Sequence, residues 1–445
     1  MRKSTIIQII VIIVLLITLG VLIYFGLNQN NNNNQIQMGQ SQMEKPGGMG
    51  QSDSSVEATG KTKVTDEQTL TGNFETTTSD ESAILVSDGG NLTLENATIS
   101  KTGDSSNTEN SEFYGINAGI LTTKNSMATI KNSNITTNAK GANAVFSTGE
   151  NSKVYISDST IETTGSSSAR GLDSTYGGYI EADNVTISTQ GGSCATLATD
   201  RGEGTVIARN SKLSTAGQGS PIIYSTGDIT IDNSEGTATG SQMVVVEGKN
   251  TATVKNSTLV CSGKGNRNSV DNCGIMIYQS MSGDAGEGTG TVNLSNSTLE
   301  VSQNTEGKTA PFFFITNTKA VINMENNVLK YPSGLLLKVE GTSEWGKSGS
   351  NGGEVTLNAT NQELSGNIEV DNLSSLEINL KENSKLESTI NNSNTAKSIV
   401  LKLDKTSTLT LTGDTYITTL EDEDSSYSNI NFNGYKLYVN GSAIN

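Results

Sequence analysis

Histidine is absent from this 445-residue chain. That absence excludes a Ser–His–Asp triad, a Cys–His dyad and any histidine-ligated zinc site. Proline occurs four times, aromatic residues make up 5% of the sequence, and only 33% of it is hydrophobic. Low hydrophobicity can mean disorder, but disordered segments are enriched in proline. Here Ser, Thr, Asn and Gly alternate with Val, Ile and Leu, the pattern of many short strands and turns. Positive charge is also scarce: 29 Lys and Arg against 46 Asp and Glu give a net charge of −17. Nucleic acid is therefore not an expected partner, because phosphate binding needs clustered Lys and Arg. Three cysteines, Cys194, Cys261 and Cys273, are too few for a disulfide framework at this length. They read as small buried hydrophobes, with a Cys261–Cys273 bridge left open in an oxidising compartment.

One long apolar run is present. Residues 6–27 are broken only by Gln8 and Thr18 and are preceded by Arg2 and Lys3. As a helix they would span about 33 Å, enough to cross a bilayer. The flanking charges would keep the N-terminus in the cytoplasm and put the rest of the chain outside. A cleaved signal peptide is the competing reading, but an Asn tract follows rather than a small-residue cleavage site. The expectation is a single-pass signal anchor over 1–27 in the cell membrane, with an extracellular C-terminal part. Residues 28–62, rich in Asn, Gln, Gly, Ser and Met without apolar periodicity, read as a flexible spacer.

Beyond the spacer one eight-residue phrase recurs. It reads LTLENATI at 92–99, ATIKNSNI at 128–135, VYISDSTI at 154–161, ATVKNSTL at 252–259 and VNLSNSTL at 292–299, with four further variants. Successive starts step by 36, 26, 26, 26, 23, 23, 40 and 30 residues. A period in the twenties with insertions marks a solenoid. Alternating apolar residues make a strand with one face inward. This assigns Ile130, Ile156, Val254 and Leu294 to the core. The Asn that follows is a turn former able to take the left-handed conformation. It recurs as Asn96, Asn132, Asn184, Asn210, Asn233, Asn256, Asn296 and Asn326, with Asp158 once. Stacked coils would bring these amides into a ladder.

A second strand precedes each phrase and a third follows it. Three short strands per coil describe an all-β fold, a right-handed parallel β-helix. An antiparallel sandwich is the alternative, but it would not require near-constant spacing. The expected organisation is the anchor, the spacer, a β-helix over 63–341, and looser C-terminal coils with a cap over 342–445.

The repeated phrases resemble the parallel β-helix superfamily typified by pectate lyases and bacterial surface adhesins. RGLDSTYGG (170–178), LATDRGEGT (197–205), SPIIYSTGDITI (220–231) and WGKSGSNGG (345–353) look like a group of secreted bacterial β-helix proteins without an assigned function. The likeness covers about residues 80–435. It implies the fold and a cell-surface location and brings no catalytic residues.

Chemistry is sought where polar residues follow the second strand. Aligning the coils on the phrase puts Glu150, Tyr176, Gly202, Ser225 and Gly248 at equivalent positions, surrounded by Arg170, Asp173, Asp200, Arg201, Glu203, Tyr224, Glu247 and Lys249, with Gln279 and Asp284 at the corresponding turn of the longer coil. Equivalent turns of a solenoid share a face, so these residues are expected to form a stripe. Tyr faces stack on sugar rings and charged groups bond hydroxyls or carboxylates, so a polysaccharide or cell-surface glycan is the expected partner. Arg201, beside Asp200 and Glu203, is the expected clamp for a uronate carboxylate. Mutual neutralisation of surface charges explains the same stripe without a ligand. A lyase would use Arg170 or Arg201 near Asp173, Asp200 and Glu203, and Ca²⁺ is the one cofactor such a cluster could take. The leading expectation is an adhesive or glycan-binding scaffold. The alternatives are a polysaccharide lyase or glycoside hydrolase on the same fold, or a structural envelope spacer. Trp345 is expected to cap the coil stack, and one ring of Phe312, Phe313 and Phe314 to lie on the outer face.

Overall fold

The computed structural model describes residues 56–445. The apolar run 6–27 and spacer residues 28–55 lie outside the described residues. Among the described residues no helix is long and apolar enough to cross a membrane.

Each coil contributes three strands. In one coil these are Val145–Thr148, Lys153–Ser157 and Thr160–Thr163. The next coil repeats them as Leu172–Thr175, Tyr179–Asp183 and Thr186–Thr189. Pairing is parallel and residue-on-residue: Val145 on Leu172, Val154 on Ile180, Ile161 on Ile187. The first strands build a twelve-stranded sheet and the other two build a 22-stranded sheet, except that in the last coils the third strands form a separate four-stranded sheet and three strands near the C-terminus form another. The two rows of the larger sheet merge at Asn91–Lys101, which pairs with both Met127–Lys131 and Asn134–Thr137. Coils continue past residue 341 without a break, since Lys319–Glu325 pairs with Glu354–Thr360 and that strand with Ser375–Lys381. Among the described strands only Leu437–Val439 and Ser442–Ala443 pair antiparallel. The described chain is thus an all-β parallel solenoid.

Alternation decides what fills it. Ile130, Ile156, Val254 and Leu294 are all buried in one contiguous inner core that runs from Val64 to Leu437. The thiols are free and buried. Cys261 faces this inner core, while Cys273 belongs to a separate cluster outside the coil.

Every phrase Asn, and Asp158, turns the chain with φ between 47° and 53°. Asn tolerates this region because its short amide can bond locally. The expected ladder is present in segments. Asn184 donates to Asp158 at 2.7 Å, Asn233 to Asn210 at 2.6 Å, and Asn326 to Asn296 at 2.8 Å. Asn210 and Asn256 instead reach Asp183 and Asp232, the residues just before the corner.

A second ladder was not anticipated. The residue after the corner is usually Ser, and its hydroxyl turns inward. The amide of Ser211 donates to Ser234 Oγ at 2.9 Å, Ser234 to Ser257 at 3.0 Å and Ser257 to Ser297 at 3.1 Å. Asn327 and Gln362 carry it onward: Ser297 donates to Asn327 Oδ1, Asn327 to Gln362 Oε1, and Gln362 to Ser384 Oγ. The corner leaves an amide that has no backbone partner, and each hydroxyl from the next coil satisfies it. A buried donor left unpaired would cost about 1–3 kcal/mol.

Two substitutions separate these contributions. Ile156→Ala is expected to destabilise by about 2–4 kcal/mol by leaving a cavity in the inner core. Ser257→Ala is expected to cost about 1–3 kcal/mol although it removes one atom, because the Ser234 amide loses its acceptor. Urea unfolding monitored by circular dichroism measures both, and a neutral Ser257→Ala would show that the ladder does not matter.

Candidate functional site

On the twelve-stranded sheet, residues that alternate with the core point outward. One outward row reads Leu85, Leu121, Phe146, Asp173, Ala198, Tyr224, Val245, Met276 and Phe314, each in register with the next. On a bare solenoid this row would face water. Here nearly all of it is buried, because long connections lie across it.

The 36-residue step of the phrase contains helix Thr108–Tyr114, the only α-helix among the described residues. Asn107 caps its start, and Gly115, at φ 66°, ends it. The 40-residue step contains two connections, 262–274 and 279–288. The first is shaped by Asp271, whose carboxylate accepts the amides of Asn266 and Arg267 at 2.8 and 2.7 Å. A further loop, 341–353, carries Trp345, which meets Tyr278 edge-on at 5.3 Å between ring centroids. Val245, Cys273, Met276, Phe314 and Trp345 form a second apolar cluster outside the coil.

These connections wall a cleft of about 270 Å³. Its floor is made by short residues of the turns that lead into the sheet, Ala195, Gly219 and Pro221, beside Tyr224, Val245 and Met276 of the outward row. Glu112 and Phe113 come from the helix, Asn266, Arg267 and Asp271 from the first connection, Asp284 from the second, and Trp345 from the last loop.

Under one end lies a buried charge cluster. Arg170 reaches Asp173 Oδ2 and Asp200 Oδ2, each at 2.7 Å. Its guanidinium also lies 5.7 Å from the centroid of the Tyr224 ring. Burial opposes the charge on Arg170, but Asp173, Asp200 and Glu112 together hold it firmly protonated. Two carboxyls share this one cation. Burial therefore dominates at both: Asp173 is raised, and Asp200 is pushed up to about 7, with Arg170 opposing and Asp173 reinforcing the shift. Asp173 Oδ1 has no hydrogen-bond partner among the described residues.

At the other end Glu247 organises the aromatics. Its Oε2 accepts the hydroxyls of Tyr224 at 2.9 Å and Tyr278 at 2.8 Å, and its Oε1 accepts from the Ser280 hydroxyl. Burial first, reinforced by Glu247, drives both phenols well above the usual tyrosine range, so both stay neutral donors. Their hydroxyls are committed to Glu247, which fixes both rings, the Tyr224 ring already having Arg170 over it.

The expected stripe divides into parts. Arg170, Asp173, Asp200 and Tyr224 come together at the cleft, and Glu247 lies beneath it. Glu203 and Lys249 pair with each other at 2.6 Å, both about half exposed. Tyr176 stacks on Tyr114 with ring centroids 5.5 Å apart. Arg201 does not take the acids beside it in sequence. It pairs with Asp284 at 2.8 Å and lies 3.9 Å above the Phe113 ring. It therefore clasps the helix to the 279–288 connection. The phrase alignment was also off at Ser225, which pairs with Val246 and not Gly248. The turn between first and second strands varies in length, so a fixed offset from the phrase mislays the row. Trp345 does not cap the stack; it walls the cleft. Phe314 is the outward ring of its trio, and it is covered.

Calcium, left open only for a lyase where no cofactor was otherwise expected, meets a chemical obstacle in this cluster. The position between Asp173 and Asp200 is occupied by a guanidinium, and among the described residues no three acidic or thiol side chains are grouped to hold a metal ion. Glu112, Phe113, Arg267 and Asp271 were missed as site residues, although the long phrase steps that carry them were visible; Asp284, expected at the stripe's turn of the longer coil, does line the cleft. No protein-family model matches the chain, and neither the curated proteins nor the solved structures contain a match.

Two outcomes test this geometry. Arg201→Ala is expected to speed amide exchange in 108–114 and 279–288 while leaving the inner coils protected. Uniform exchange rates would show that Arg201 is no clasp. Asp200 has a raised folded-state pKa, so the native state binds its proton more tightly, and the stability it contributes is full below about pH 4 and is lost as pH rises towards 7. Asp200→Asn is therefore expected to gain on the parent protein between pH 5 and pH 8 in urea midpoints. A difference independent of pH would contradict the shift.

Proposed function

We propose that this protein is a membrane-tethered, cell-surface β-helix protein that binds a carbohydrate in the walled cleft. The observation that carries the reading is the cleft itself. Fixed aromatic rings from Tyr224, Tyr278 and Trp345 stand beside carboxylates and guanidiniums, over a floor of small residues. Rigid ring faces supply apolar contact with a pyranose, and ionised groups at its rim bond hydroxyls. At about 270 Å³ the space suits about one or two sugar rings, the end or a branch of a glycan. The parallel solenoid is in keeping with a right-handed β-helix of the pectate-lyase-like superfamily and with the adhesive role expected from the sequence. The tether rests on the apolar run 6–27.

One observation favours a second reading. Asp200, with a pKa near neutrality in a cleft, has the property of a general acid, as a glycoside hydrolase would require. Release of reducing or unsaturated sugar ends from polysaccharides would support catalysis over binding.

A glycan array probed with residues 56–445 tests the binding reading. Ala195→Phe would fill the floor and is expected to weaken binding at least about tenfold without changing thermal unfolding. A blank array, or full binding by Ala195→Phe, would sink the proposal and leave a structural spacer. Full-length protein is expected to stay with membranes after carbonate extraction. A mature N-terminus beyond Leu27 would contradict the tether.

A further inference from the structure

The cleft has an imbalance of charge. Four carboxyl groups line it, Glu112, Asp200, Asp271 and Asp284, against two guanidiniums, Arg170 and Arg267, and the acids are in excess even with Asp200 protonated. The groups directly bonded to these do not correct the balance. Asp173 and Arg201 cancel, and Glu247, held under the two tyrosines, adds one more negative charge. The positive groups are also largely committed. Arg170 is shared between two carboxylates and Arg201 is held by Asp284. Of the lining guanidiniums, only Arg267 stands outside an ion pair among the described residues.

An acidic sugar is poorly served by this arrangement. A uronate carboxylate would have to displace Asp173, Asp200 or Asp284 from its guanidinium, or share Arg267 within a field of excess negative charge. An ammonium group meets the opposite situation. Low-dielectric walls focus the negative potential of the lining into the cavity. Aromatic faces attract cations through their quadrupoles. Arg170 already uses the Tyr224 face in this way, which leaves Tyr278 and Trp345 as ring surfaces for a ligand.

We propose that the cleft selects a cationic sugar, a hexosamine whose amino group is not acetylated, over neutral and acidic sugars. This rests on the carbohydrate-binding reading. The ammonium group would supply the positive charge that the lining lacks, and the pyranose would stack on the fixed rings. Acetylation would remove that charge and add bulk to a small cavity.

Trp345 is the only tryptophan in the chain and lies in the cleft wall, so its fluorescence reports occupancy directly. The experiment titrates residues 56–445 with glucosamine trimer, N-acetylglucosamine trimer and galacturonate trimer at pH 6 and low salt. The expected result is binding of the glucosamine trimer at least about tenfold tighter than its acetylated counterpart, weakening as salt is raised, with galacturonate weakest. Glu112→Gln is expected to erode the preference for the free amine. Binding of the acetylated or acidic trimer as tightly as the amine would overturn the charge inference and leave carbohydrate binding standing. A fluorescence signal that none of the three trimers moves overturns the inference, and a blank glycan array beside it removes the carbohydrate reading too.

Discussion

Apart from irregularities at Leu70–Gly72 and Leu335–Leu337, each described coil lies directly over its neighbour, residue on residue, and most of the structure depends on that registration. Parallel pairing without slip puts Ile over Ile inside and lets an amide on one coil find a hydroxyl on the next. It also makes every outward residue part of a row. A one-residue slip would exchange inner and outer faces along a whole strand, so the inner core and the buried serine ladder reinforce each other against it. The left-handed Asn corner is what allows the chain to turn at the same height in each coil. Its exposed amides link some neighbours, while the Ser hydroxyl behind it does the buried part of the hydrogen bonding.

The same regularity would leave a flat outer surface. Relief comes from chain inserted between coils. Helix 108–114 and the connections 262–274, 279–288 and 341–353 cover the outward row of the smaller sheet. They turn exposed side chains into a second set of buried ones. Arg201 shows how the cover is held: its ring contact with Phe113 and its ion pair with Asp284 join segments contributed by different coils. Where the turns leading into that sheet carry only Ala195, Gly219 and Pro221, cover and floor do not meet, and the cleft results.

Burial beneath the cover also changes the chemistry of the charged residues. Asp173 and Asp200 would be ordinary carboxylates on an open solenoid face. Enclosed with a single guanidinium, they compete for it, and the proton affinity of Asp200 rises towards neutrality. Glu247 has no cationic partner in its bonding and is satisfied by hydroxyl groups instead, which fixes two tyrosine rings as a consequence.

The sequence by itself determined the coil. Period-two alternation, a recurring Asn and near-constant spacing are local features, and each is set by backbone conformation and side-chain size at the residue concerned. Ile130, Ile156, Val254 and Leu294 could therefore be placed inside, and the Asn corners located, from the pattern alone. The long phrase steps announced insertions without saying where they fold. Only the tertiary structure decided the site. Asp284 meets Arg201 across 83 residues of chain, nearer acids being turned to Arg170 and Lys249. Such pairings depend on how an irregular segment crosses a surface, and no periodicity records that path. The serine ladder lies between these extremes: the residue was visible in most phrases, but its role appears only when the next coil sets a hydroxyl against an amide that the corner has left without a partner.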